Sequence, residues 1–115
     1  MKKFIYTVAE ILLLDHYFDI VLSSRSVDDA DAIYETHLRK SKVYRHKITV
    51  YLGNYSGRSL EALIAHELIH AWQAENDYQD IHGESFIKTA RYLTRELSKW
   101  GYEVPGIYIP DLDVT

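Results

Sequence analysis

With 115 residues, 47% of them hydrophobic, and ten tyrosines and two tryptophans, the chain can bury the core of one domain, read here as residues 1–115. A net charge of −4 argues against a protein built mainly to bind nucleic acid or membranes. The absence of cysteine excludes disulfides and thiolate metal ligands, leaves histidine and carboxylate chemistry, and fits an intracellular, cytoplasmic protein.

The N-terminus, MKKFIYTVAEILLL, superficially resembles a signal peptide. Glu10, Asp15 and His16 interrupt the apolar run, no small-residue cleavage site follows, and the run is far short of a membrane span. A soluble protein without a membrane partner is expected. Phe4, Val8, Ile11, Leu12 and Tyr17 recur at helical spacing, which predicts an amphipathic helix from Lys3 to about His16. Asp19–Ser23 is short and β-branched, consistent with a first strand. Ser26–Asp31 is an acidic turn rather than a calcium loop, since no glycine or terminal glutamate follows at the EF-hand offsets.

Ala32–Leu38 and Lys47–Leu52 read as two further strands; Ile48, Val50 and Leu52 alternate with Lys47, Thr49 and Tyr51, so one face should be buried. The strand Lys47–Leu52 is a candidate edge for pairing with an extended substrate. Between the two strands Arg39, Lys40, Lys42, Arg45 and Lys47 crowd one basic segment, expected to form a solvated hairpin tip or exposed strand ends. Its functional alternative is a phosphate-contacting patch, giving at most weak nucleic-acid binding.

The densest chemistry lies between Ser59 and Phe86, SLEALIAHELIHAWQAENDYQDIHGESF. Ser59 is a plausible N-cap, with Glu61 in the first turn. His66, Glu67 and His70 form an HExxH motif; positions four apart share a helix face, so both histidines can face one metal ion. Glu67 is placed to reach a water at that ion without binding it. Leu60, Leu63, Ile64, Leu68, Ile69, Ala71 and Trp72 wrap the helix in apolar side chains. A buried helix does not carry two histidines and a glutamate without partners for them. For the third ligand, Gln73 and Asn76 stand where a metzincin needs Gly and His, so that reading fails. His82 is the preferred third ligand, and Glu84 or Glu96 would serve in a glutamate-type site. Phe86, Ala90, Leu93, Leu97 and Trp100 then predict an amphipathic helix with Gly101 as its C-cap, followed by an irregular tail, Tyr102–Thr115. Together these elements give an α+β fold: an N-terminal helix, a small three-stranded sheet, the HExxH helix and a C-terminal helix.

HELIHAW, a spacer and HGESF resemble the SprT-like family of small zinc metalloproteases, whose pattern is HExxH, then His-Gly, then phenylalanine three residues beyond that glycine. His66, Glu67, His70, His82, Gly83 and Phe86 match position by position, with weaker similarity from Lys47 to Trp100. Two departures stand out. Many members add a cysteine-rich zinc ribbon, which this chain lacks, and Glu84 stands where the family often has proline. The resemblance implies a zincin-like minimal domain, a zinc held by His66, His70 and His82, and hydrolysis of a protein or peptide substrate, in the family associated with DNA-bound proteins. The reading is thus a zinc metalloendopeptidase with Glu67 as general base. Its competitor is a non-catalytic, zinc-stabilised binding module. Tyr51, Tyr55, Tyr92 and Tyr108 are the candidate oxyanion donors.

Overall fold

The computed structural model describes residues 1–15, 17–23, 32–39, 42–51, 58–110 and 113. Along the chain these form α1 (Lys2–Ile11), β1 (Tyr17–Ser23), β2 (Ala32–Arg39), β3 (Lys42–Tyr51), α2 (Leu60–Glu75) and α3 (Glu84–Lys99), an α+β arrangement. The predicted acidic turn Ser26–Asp31, His16, Lys40 and Leu52 lie outside the described residues.

The central layer is α2, because its sequence leaves little of its surface polar. Ala62, Leu63, Ile64, Ala65, Leu68, Ile69 and Ala71 are all buried. A helix that is apolar nearly all round needs cover on more than one side. The sheet supplies one side through β2 and β3; α1 and α3, which touch each other, supply the rest. Both outer helices are amphipathic. Phe4, Val8 and Leu12 from the α1 region and Phe86, Ala90, Leu93 and Leu97 from α3 face inward. Val104 and Ile107 bring the tail back onto this core, and Tyr102 meets Phe4 edge-on with centroids 5.2 Å apart. Among the described residues no helix is long and apolar enough to cross a membrane.

All three helices end the same way, with a residue in the left-handed region and a six-residue backbone bond behind it. For α3 that residue is Gly101 (φ 89°), as the sequence predicts, with Tyr102 N–H donating to Leu97 O at 2.9 Å. For α2 it is Asp77 (φ 59°), with Tyr78 N–H bonded to Gln73 O at 2.9 Å. For α1 it is Leu13 (φ 55°), with Leu14 N–H bonded to Ala9 O at 3.0 Å. Helix α1 therefore stops at Ile11 and not near His16: the apolar spacing continues past the helix, and leucine gives no stop signal.

The strand order is β1-β3-β2, with β1 parallel and β2 antiparallel to β3. Strand β3 begins at Lys42, five residues before the predicted Lys47, because Arg39↔Lys42 opens the hairpin ladder. The basic segment is thus largely strand, and Arg45 is ion-paired with Asp19 of β1. This topology also corrects the expected substrate edge. The stretch from Lys47 lies in the central strand, paired on both sides, and β2 is the edge nearest α2.

Candidate metal centre

Ser59 Oγ caps α2 by accepting from Ala62 N–H at 3.1 Å, and the helix then carries His66, Glu67 and His70 through its buried middle. His82 arrives from the turn before α3. His66, His70 and His82 each offer a ring nitrogen, and these atoms lie within 4.8 Å of one another, close enough to bind one metal ion. His66 Nε2 lies 3.1 Å from His82 Nε2. Beneath them sits Phe86, fully buried, its ring centroid 4.6 Å from His66, 4.9 Å from His70 and 5.1 Å from His82. An apolar floor against all three rings keeps water from reaching them from the core side.

The opposite ring nitrogens of His66 and His70 are held by the protein. His66 Nδ1 is 2.7 Å from the carbonyl of Ile107, in the tail. Arg58 Nη1 lies 2.9 Å from the same nitrogen and is ion-paired with Asp113, whose Oδ2 is 3.8 Å away from it. His70 Nδ1 donates to Gln73 Oε1 at 2.9 Å, Gln73 Nε2 donates to Ser85 Oγ at 3.0 Å, and Ser85 Oγ donates to Asp80. At Nδ1 the Ile107 carbonyl accepts from His66 and Gln73 Oε1 from His70, which selects the tautomer whose Nε2 lone pair is turned to the centre, while Arg58, a donor only, is engaged by Asp113. Burial acts in the same sense. It pulls His66 down to about 3, with help from His70 and Arg58 against the Ile107 carbonyl and Asp113. It pulls His70 down to about 4, with His82 adding to it against Gln73 and Asp113. Both imidazoles are therefore neutral near pH 7, the form that binds metal.

The glycine after His82 has a steric reason. A Cβ on Gly83 would stand 2.8 Å from both Asp80 Cβ and Asp80 O, and Asp80 O accepts the Gly83 N–H. No larger residue lets the chain turn this tightly. The Ser85 hydroxyl above all, and then the Ser85 N–H at 2.7 Å, donate to the Asp80 carboxylate and hold it below the usual range.

A cleft of about 440 Å³ opens over the three histidines. Its walls include Glu67 from α2, Tyr34 from β2, and Tyr78 and Ile81 from the turn. Glu67 and the three expected histidines are thus brought together. Glu84 is exposed and paired with Lys88 at 2.7 Å, and Glu96 is paired with Lys99 at 3.0 Å; neither belongs to the cluster. Of the tyrosines singled out as oxyanion donors, Tyr51, Tyr92 and Tyr108 do not line the cleft, and Tyr55 lies outside the described residues.

What the sequence did not single out is a chain behind the cleft. Tyr34 Oη is 2.7 Å from His46 Nδ1, and His46 Nε2 is 2.6 Å from Glu75 Oε2. Glu75 Oε1 accepts the Asp15 backbone N–H at 2.8 Å. Burial above all, then Glu75 and Glu67, raises Tyr34 well above an ordinary phenol, so it is a hydrogen-bond donor rather than a base. A signal for His46 was present: it shares the period of Ile48 and Val50, and the alternation carried two residues back puts it on the buried face.

Comparison of the chain with protein-family models, with curated protein sequences and with solved structures returned no match.

Proposed function

We propose that this chain is a zinc metallopeptidase of the SprT-like kind, with a zincin-like active site in which His66, His70 and His82 hold the metal and Glu67 is the general base. The observation that carries the reading is the convergence of three imidazoles, His66 and His70 among them held neutral by burial, with Glu67 in one open cleft beside a sheet edge. The donor set suits zinc. Two nitrogens bound at about 2.0–2.1 Å in tetrahedral geometry stand roughly 3.3 Å apart, near the 3.1 Å between His66 and His82. Three protein ligands leave a fourth position open, the pattern of a catalytic rather than a structural site. Zinc, when bound, supplies Lewis-acid activation of a water molecule.

The residues of the chain do the rest. Glu67 accepts the proton of the attacking water as its oxygen adds to the substrate carbonyl carbon. It returns that proton to the amide nitrogen as the C–N bond breaks. Among the described residues β2 is an edge strand, and its outer backbone groups would pair with an extended peptide and lay the scissile bond across the cleft. Chelation should abolish cleavage of a proteome-derived peptide library and added zinc should restore it. Zinc bound at one equivalent with no cleavage in any condition would favour the non-catalytic module instead.

A further inference from the structure

A peptidase cleft, the reading on which this inference rests, holds substrate side chains as well as the bond it cuts, and the cleft beyond the histidines is apolar. Helix α2 carries His66 and His70 on one face, and the next position of that stripe, four residues on, is Ala74, half-buried on the cleft wall. Four residues advance about 6 Å along a helix, less than the roughly 6.6 Å between same-face side chains of an extended peptide. A side chain over Ala74 therefore lies within two residues of the cut. Ala32 and Tyr34, two apart on β2 and on one face of the strand, line the cleft as well, with the Tyr34 hydroxyl engaged by His46 at 2.7 Å. Tyr78 and Ile81, from the turn after α2, close a third side and are 49% and 59% exposed. Single exposed apolar residues are ordinary on a surface, but two on the wall of one cleft form a contact surface. Tyr78 is also held in place. Its ring stacks on Trp72, with centroids 5.1 Å and planes 18° apart, and its N–H is bonded to Gln73 O at 2.9 Å. A wall ordered before binding costs little to order on binding.

We propose that these five side chains form a subsite for one large apolar side chain of the substrate, such as leucine, methionine or phenylalanine, and that Ala74 sets its depth. Alanine at positions 32 and 74 leaves open the space that longer side chains would fill. Charge argues in the same direction. Among the described residues no lysine or arginine lines the cleft, and Glu67 brings a carboxylate to it. An acidic substrate side chain would find no partner there and a like charge nearby. The Gln73 amide, also on the wall, is committed at both ends, to His70 at 2.9 Å and to Ser85 at 3.0 Å. A polar substrate side chain would thus give up water with little to replace it, whereas an apolar one gains by leaving water.

The test uses the zinc-loaded full chain and reads its cut sites in the proteome-derived peptide library. Wild type should favour Leu, Met or Phe over Asp or Glu by at least roughly 10-fold at one position within two residues of the cut. A cleaved peptide is then remade with leucine and with alanine at that position. Ala74→Leu, matched to wild type in zinc content and circular dichroism, should lower kcat/KM for the leucine peptide by roughly 10- to 100-fold and leave the alanine peptide within about threefold. Ile81→Ser, at an exposed position outside the core, should narrow the same leucine-over-alanine ratio by a smaller factor, and it decides alone if Ala74→Leu does not fold. Cutting with no apolar preference, or a ratio that stays at the wild-type value in the folded variants, would overturn the subsite while leaving peptidase function standing. A zinc-loaded wild type that cleaves no peptide would overturn the peptidase reading and the subsite with it.

Discussion

At the residue scale the histidine cluster depends on groups that do not face its centre. Gln73 holds His70 by its Nδ1 and is itself held through Ser85 and Asp80. Gln73→Leu keeps the volume and removes the acceptor, and should weaken zinc binding by about 10- to 100-fold, the usual cost of losing such a partner. His82→Ala should cost at least as much, and Glu84→Ala, on an exposed residue paired with Lys88, should leave affinity unchanged. Competition titration against a chelator measures all three; a larger loss in Glu84→Ala than in His82→Ala would show a glutamate-type site. His66, Glu67 and His70 were legible because a helix turns spacing four into a shared face, a local rule. Tyr34, His46 and Glu75 were not, because each comes from a different element and no short-range rule brings them together.

Element ends show a second limit of local reading. Gly101 announces the end of α3, but Leu13 takes the same left-handed conformation with nothing in its chemistry to mark it. A non-glycine residue there costs roughly 1–2 kcal/mol in conformation, partly offset by glycine's larger unfolded-state entropy. Leu13 is exposed, so little packing is lost. Leu13→Gly should therefore stabilise the protein by about 0.5–1 kcal/mol in chemical denaturation; destabilisation would mean that the leucine contributes contacts outweighing its backbone. The β2–β3 hairpin was legible in outline, but its basic run hid where β3 begins. Arg45 is already committed to Asp19. We expect DNA binding to be detectable only at low ionic strength, to be nearly gone at physiological salt, and to be reduced when Arg39, Lys40 and Lys42 become serine. Titration of labelled DNA across a salt series measures this, and tight binding at physiological salt would contradict it.

For the whole molecule, the buried neutral histidines tie stability to pH. His66 and His70 titrate well below the ordinary 6.5 in the folded, metal-free protein. Below about pH 6.5 the unfolded chain binds protons that the folded chain refuses, so stability falls as the solution is acidified toward pH 4. The slope is about 1.4 kcal/mol per pH unit for each of the two protons. Above pH 7 neither contributes, since both are neutral in both states. Urea midpoints of the metal-free protein between pH 7.5 and 4.5 should show this fall, and it should flatten in the His66→Gln, His70→Gln double variant. Equal slopes in the two proteins would show that the histidines are not protected from protonation.

The α+β layering follows from the same burial, with one nearly all-apolar helix demanding cover by a sheet and two amphipathic helices. That helix also carries His66, Glu67 and His70, and the most direct test of the proposed function concerns Glu67. Zinc-loaded wild type and Glu67→Gln, matched for metal content, are incubated with the peptide library in ¹⁸O-labelled water, and new C-termini are read by mass spectrometry. Wild type should generate termini carrying the label, and Glu67→Gln should generate them at least about 10²-fold more slowly with zinc still bound. Labelled termini at equal rates in the two proteins would contradict the account.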